Sequence, residues 1–280
     1  MEQKEALKKV VNGLFAEINP FVIQIYKKDG EAEPVEPYPL DSGVLLEING
    51  NYYLCTASHT YHEERIEDIG TMIGDTLYIF KGELTYLPIT DSEENNIGDV
   101  AVCKLLPEVA EDLKMKYQFL PMNRILLNHC LVAENRYFIL GYPVTKSKKN
   151  PITGKLTVES FSFVTKGITN EDKYRRVKSN VLVNYLLEFH RNKIAKFGEV
   201  CKQTAPKPEG NSGSGLWYFD CERQQLLLVG LMIGYNHPEA VFIATRIDLV
   251  TELIRHKFDH SIPQSTAIKP RFTPTEKTSD

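Results

Sequence analysis

The chain has 280 residues, of which 42% are hydrophobic and 25% charged, and it carries a formal net charge of −4 at pH 7. That length suits an all-β unit of two packed halves and can bury a sizeable core, while the mild acidity gives no electrostatic case for nucleic acid or membrane surfaces. No apolar run approaches the roughly 20 residues that span a bilayer, and residues 1–11 lack the apolar core of a secretion signal. Five cysteines make an odd set with no CxxC pair and no Cys/His spacing of zinc type. They read as buried thiols in a reducing compartment, so the expected setting is cytoplasmic, with no metal and no organic cofactor.

Leu7, Val10, Val11 and Leu14 recur at helical spacing and predict an amphipathic helix over 4–16, packed on the surface of the fold. A partner-binding helix is the alternative. Phe21–Tyr26 is rich in β-formers and predicts the first strand, and Lys27–Pro39, with three prolines, reads as an exposed loop. Ser42–Ile48 and Tyr52–Cys55 flank Asn49-Gly50, a dipeptide that favours a tight hairpin. The second strand of this hairpin runs into Thr56-Ala57-Ser58-His59. The end of a rigid strand is a place where a catalytic base can be held; a structural histidine is the plainer reading, and His62 has no comparable setting. Leu77–Phe80 and Leu84–Ile89 look like further strands, followed by an acidic, solvated run at Asp91–Asn96. Asp99 then opens the apolar segment Val100–Val102, where burial demands a hydrogen-bond partner such as an imidazole N–H. A capping role is the alternative for Asp99.

Glu108–Lys116 reads as helical and as part of a connection to a second half that opens with Arg136–Pro143. The basic runs Lys146–Asn150 and Lys173–Arg176 lack interleaved aromatic residues, so they read as solvated loops and not as a nucleic-acid surface. Phe161–Val164 and Val181–Leu187 have strand character. In Pro208–Trp217 a small hydroxyl residue, Ser212, lies among three glycines. A turn of this kind can hold a serine outward and aim backbone N–H groups at one point, although an ordinary Gly/Ser turn explains it too. Strand-like runs follow at Leu226–Ile233 and Ala240–Thr245. Ile247, Val250, Leu253, Ile254 and Phe258 mark a closing helix, and Ser261–Asp280 has the composition of a disordered tail.

His59, Asp99 and Ser212 stand in the chain order His, Asp, Ser. Thr-Ala-Ser-His resembles the Thr-Ala-Ala-His of the trypsin-like (chymotrypsin-fold) serine proteases, Gly-Asp-Val-Ala-Val resembles their Asp-Ile-Ala-Val segment, and Gly-Asn-Ser-Gly-Ser-Gly resembles their Gly-Asp-Ser-Gly-Gly. The resemblance covers roughly residues 20–258 and is most similar in pattern to intracellular bacterial and HtrA-type members. It implies an all-β fold of two six-stranded antiparallel β-barrels with an N-terminal and a C-terminal helix. The divisions would be a helix over 1–19, a first barrel over 20–118, a second barrel with the closing helix over 119–260, and a tail over 261–280.

The resemblance further implies a serine endopeptidase acting on protein or peptide substrates. Ser212 would be the nucleophile, His59 the base and Asp99 its orienting partner, with the N–H groups of Gly210 and Ser212 as the oxyanion hole. Pro206 would form the base of the primary pocket and Ile233, Gly234, Tyr235 and Ala240 its surroundings; Glu209, adjacent to the oxyanion turn, is the one carboxylate that could swing in, and a Lys or Arg preference is the alternative it would bring. Such an uncharged pocket would accept small or medium uncharged residues and handle Lys or Arg poorly. Asn211 stands where digestive members carry an aspartate that pairs with a new N-terminus. With no charge there and no activation site near Phe21, zymogen-type processing is not expected. The alternative is a dormant or non-enzymatic module that binds a peptide or a partner protein, with the N-terminal helix or C-terminal tail as contact, within a bacterial stress or defence system.

Overall fold

A computed structural model describes residues 2–29, 36–61, 66–87, 98–149, 156–191 and 205–268. The first half is a curved sheet of β1 (Val22–Asp29), β2 (Glu36–Ile48), β3 (Asn51–Thr56), β4 (Ile69–Ile73), β5 (Thr76–Ile79), β6 (Gly82–Tyr86) and β7 (Ala101–Leu105), ordered β5-β4-β1-β2-β3-β7-β6. A two-residue strand β8 (Leu120–Pro121) adds to β2 in parallel. The second half contains β9 (Arg136–Gly141), the ribbon β10 (Ser147–Lys149) and β11 (Leu156–Val158), then β12 (Phe161–Ile168), β13 (Asn184–Glu188), β14 (Gly215–Asp220), β15 (Gln225–Asn236) and β16 (Val241–Arg246). Six of these close into the barrel β12-β13-β16-β15-β14-β9. Among the described residues there are four α-helices: α1 (Glu2–Ile18), α2 (Pro107–Lys114), α3 (Glu171–Arg176) and α4 (Ile247–Lys257). The expected two-barrel, all-β architecture is the one observed. The first half, however, is a half-barrel sheet, among the described residues, where a closed six-stranded barrel was expected.

Strand alternation explains why the site-bearing strands are apolar almost throughout. Successive side chains point to opposite faces, and here both faces are covered. Leu45, Leu54, Ala101 and Cys103 fill the hollow of the first sheet. Their neighbours Val44, Leu46, Tyr53, Cys55 and Val102 turn the other way and join Leu140, Trp217 and Leu228 of the second half, together with residues of α1 and α4. The barrel interior is aromatic: Phe163, Phe189 and Phe242 pack with centroids 4.1–5.5 Å apart. The hairpin at Asn49-Gly50 forms with Ile48 opposite Asn51.

Several expectations are corrected. Much of Lys27–Pro39 is strand, with Lys28 opposite Pro37 and Tyr26 opposite Pro39. Among the described residues this part of β2 has β1 alone beside it, the edge setting in which a strand accommodates proline. Residues 30–35 lie outside the described residues, as do Asp91–Asn96, His62, Ile89 and Cys201. In α1 the buried stripe is Val11, Phe15 and Ile18, while Leu7 and Val10 are exposed. Val181–Val183 form a turn, and the basic runs become β10 and α3. The first part of the expected tail, 261–268, is packed: Ile262, Ser265 and Ile268 are buried. Cys55 and Cys103 are buried, but Cys130 and Cys221 are exposed free thiols. No helix among the described residues is long and apolar enough to cross a membrane.

Candidate active site

His59 sits in a single 3₁₀ turn, Ser58–Tyr61, at the end of β3. Asp99, just before β7, holds that turn from two sides. One carboxylate oxygen accepts the Ser58 hydroxyl at 2.6 Å and the His59 backbone N–H at 3.0 Å. The other is in close hydrogen-bond contact with His59 Nδ1. The family motifs singled out both residues, and the fold brings them together because β3 and β7 are paired, Thr56 opposite Ala101. Burial opposes ionisation of Asp99, but the hydrogen bond and charge of His59, with the Ser58 hydroxyl, outweigh it and lower its pKa.

A second carboxylate approaches the same ring. Asp41 Oδ2 lies 3.9 Å from His59 Nε2 and accepts the Thr60 hydroxyl at 2.9 Å. Burial raises its pKa to about 6, against the opposing pull of His59 and Thr60. For His59 itself, burial disfavours the imidazolium, yet the Asp99 hydrogen bond and the charges of Asp99 and Asp41 overcome this and raise its pKa. Sequence reasoning missed Asp41. Its signal was a carboxylate beside Ser42 at the head of an apolar run, the same kind of interruption that marked Asp99.

The Ser212 loop is stapled to β2 through Ser42, another residue not foreseen. Ser42 N donates to the Ser212 carbonyl at 2.9 Å, and Ser42 Oγ donates to the Gly210 carbonyl at 2.7 Å. Ser42 Oγ also accepts the Tyr142 N–H at 2.9 Å. Gly213 has φ +78 and lies so close to the β2–β3 end that a Cβ would run into the Ser42 carbonyl and Thr56 Oγ1. Only glycine combines that conformation with that approach. Residues 208–211 form a turn, Asn211 N donating to the Pro208 carbonyl at 3.0 Å, with Gly210 at φ +90. The Glu209 carbonyl accepts Val144 N at 2.9 Å. Because the peptide unit is planar and trans, this bond turns the Gly210 N–H to the opposite side. Neither that N–H nor the Ser212 N–H donates to a backbone carbonyl among the described residues. Ser212 Oγ and His59 are not hydrogen-bonded to each other. Catalytic bonds of this kind are often long before substrate arrives.

Ser212 borders a cavity of about 490 Å³. Of the residues expected there, Glu209, Gly234 and Tyr235 line it, whereas Pro206, Ile233 and Ala240 do not. The expectation of an uncharged pocket is corrected, since Arg191 and Lys207 contribute to the wall along with Glu209. The resemblance that put Pro206 at the base of the pocket could not find Arg191. It arrives from the end of β13, where its backbone carbonyl accepts Ala205 N at 2.9 Å. Among the described residues no three His, Cys, Asp or Glu side chains converge as a metal site.

The half-barrel sheet, the closed barrel and the terminal helices together define the chymotrypsin-like fold of the trypsin-like serine proteases. In solved structures this chain is similar to the VesB protease of Vibrio cholerae, with 14% sequence identity and a TM-score of 0.50; the match covers 84% of this chain and 63% of that one. The chain thus spans somewhat under two thirds of the length of that protein, and the likeness is one of fold. No family model matches the sequence, and no curated sequence matches it.

Proposed function

We propose that the protein is a serine endopeptidase whose nucleophile is Ser212. The observation that carries this reading is the imidazole of His59, fixed through Nδ1 by Asp99 at a strand end to which Ser42 also ties the Ser212 loop. A protease fold supports it at the level of class. In the reaction, His59 Nε2 takes the Ser212 hydroxyl proton as Oγ bonds to the substrate carbonyl carbon. Asp99 keeps the proton on Nδ1 and stabilises the imidazolium that forms. The N–H groups of Gly210 and Ser212 take up the negative charge on the carbonyl oxygen, each worth roughly 2.7–4 kcal/mol in comparable sites. His59 then gives its proton to the leaving amine as the C–N bond breaks. Water, deprotonated by His59, releases the acyl group from Ser212.

Active geometry here needs no new N-terminus. Asn211 is buried, and its uncharged amide cannot make the ion pair that a carboxylate at this position would make with an ammonium. The second reading, a dormant or partner-binding module, is favoured by one observation: Asp41, and no Ser212 hydroxyl bond, stands at His59 Nε2. Labelling by a fluorophosphonate probe separates the two. The expected result is stoichiometric modification of wild type at Ser212 and none in Ser212→Ala. Peptide turnover should fall about a million-fold in Ser212→Ala or His59→Ala, as in measured triads. Absence of labelling in folded wild-type protein would count for the dormant module. Retained cleavage in Ser212→Ala with loss in Ser214→Ala would move the nucleophile to Ser214.

A further inference from the structure

The cavity beside Ser212 carries an excess of positive groups. Arg191 supplies a guanidinium and Lys207 an ammonium, beside the His237 imidazole, against one carboxylate in the lining, that of Glu209; Lys207, Glu209 and His237 are exposed, and Arg191 is half-buried. Among the described residues neither Arg191 nor Lys207 is paired with an acid. Arg191 is also held in place. Its Nε donates to the Ala205 carbonyl at 2.8 Å, which leaves the four terminal N–H groups for a ligand. Arg191 reaches Tyr235 as well: burial raises the Tyr235 phenol, and the Arg191 charge pulls against that rise.

The remaining wall is aromatic. Tyr235 and Phe242 line the cavity, with ring centroids 5.4 Å apart, and Phe189 backs them at 5.3 and 4.1 Å. Apolar walls with a guanidinium among them match a short aliphatic stem that ends in a carboxylate. A fork of parallel N–H groups binds that carboxylate in two bonds, and a lysine adds a point charge. An uncharged guest would instead strip water from Arg191 without replacing it, and a basic guest would meet like charge.

We propose that this pocket selects an acidic side chain, glutamate or aspartate, on the residue whose carbonyl Ser212 attacks, with Arg191 as the chief determinant and Lys207 in support. The assignment rests on the reading of Ser212 as an activated nucleophile. It replaces a preference for small uncharged residues with one for acidic residues.

The test uses the full chain and a set of peptidyl diphenyl phosphonates that differ only in the pocket-filling residue: Glu, Asp, Gln, Ala, Phe or Lys. Ser212 Oγ bonds to phosphorus, phenol departs with the proton that His59 removed, and the mass gained on Ser212 reports the rate. A small fluorophosphonate, which needs no pocket, runs in parallel. The Glu reagent is expected to react at least about ten-fold faster than its Gln isostere, as a site built to bond one group rejects its analogue, and the Lys reagent slowest. In Arg191→Gln the Glu-to-Gln ratio should collapse towards one while fluorophosphonate labelling persists. Should that variant not fold, the wild-type ratio and its decrease in Lys207→Gln decide the matter. Fluorophosphonate labelling with equal Glu and Gln rates, or with Phe or Lys preferred, overturns the pocket assignment alone. No labelling by any reagent overturns the nucleophile, and the pocket assignment with it.

Discussion

At His59 two carboxylates compete for one ring, and their separate duties can be measured. Asp99 is bonded to Nδ1, whereas Asp41 stands 3.9 Å from Nε2, the nitrogen that must be free of a proton to act as base. Both raise the His59 pKa, so the acidic limb of kcat/KM should fall above the ordinary histidine value of about 6.5. Asp41→Asn removes one of the two charges and should move that limb to lower pH; a limb that stays in place would show that Asp41 does not act on the base. The same substitution bears on stability. The Asp41 pKa in the folded protein is raised to about 6 from 3.8, so its proton favours the native state at low pH, and that contribution is lost as pH rises through 6. Asp41→Asn should therefore stabilise the protein near pH 8 by something on the order of 2–3 kcal/mol and leave it nearly unchanged near pH 4, as read from thermal melts at the two pH values. His59, Asp99 and Ser212 could be picked from the sequence because each interrupts an apolar or glycine-rich pattern beside a family motif. Asp41 interrupts a pattern too, but no motif accompanies it, and its importance comes from a three-dimensional approach to Nε2.

Among the elements, β2 is the one on which the site hangs. Its residues pair with β1, β3 and β8, and Ser42 alone bonds Ser212, Gly210 and Tyr142. Ser42→Ala leaves the Gly210 carbonyl and the Tyr142 N–H without this partner in a buried setting, a loss of about 1–3 kcal/mol. Because the proposed mechanism places an oxyanion donor on Gly210, the fluorophosphonate labelling rate should fall along with the melting temperature. Ser42→Cys, close in volume and a weaker donor, should fall between the two, and full labelling in Ser42→Ala would remove β2 from the mechanism. The hairpin of β2 and β3 was legible because alternation and a two-residue turn are local signals. So were β9, β12, β15, β16 and α4. What was not legible has its cause in tertiary contact. The segment 261–268 has a polar, proline-containing composition, yet Ser265 N donates to Glu252 at 2.7 Å and Ser265 Oγ to Asp248 at 2.7 Å. These bonds, with Ile262 and Ile268, tie it over α4, and no periodicity announces them. Part of the pocket was misread for the same reason: Arg191 enters from the end of β13, outside the motif around Ser212, whereas Lys207 stands beside Pro206 in the sequence and its charge was not weighed.

For the molecule as a whole, the largest buried cluster runs through both halves and both terminal helices, from Phe15 and Ile18 through Val44 and Trp217 to Leu253 and Ile262. The N-terminal segment is part of this seam. Phe15 meets Phe138 edge-on at 5.7 Å, Phe21 lies 6.5 Å from Trp217, and Glu17 pairs with Arg124 at 2.5 Å. In digestive relatives by resemblance, cleavage before the first strand liberates a charge that an aspartate then captures; here Asn211 stands at that position and Phe21 is already in the core. Cleavage near Phe21 would therefore release α1 without supplying a useful charge. Val11, Phe15 and Ile18 would lose their partners, and with about 1.5–3 kcal/mol for each buried apolar side chain the loss is comparable to the 5–15 kcal/mol that holds a typical domain together. The expected outcome is that the uncut chain labels with fluorophosphonate and that a form cut between Ile18 and Phe21 melts at a lower temperature and labels no faster. An engineered protease site in Asn19-Pro20, with intact-mass spectrometry of the labelled species before and after cutting, checks both halves of the statement. Labelling that appeared only in the cut form would restore processing as the switch and leave Asn211 without its explanation.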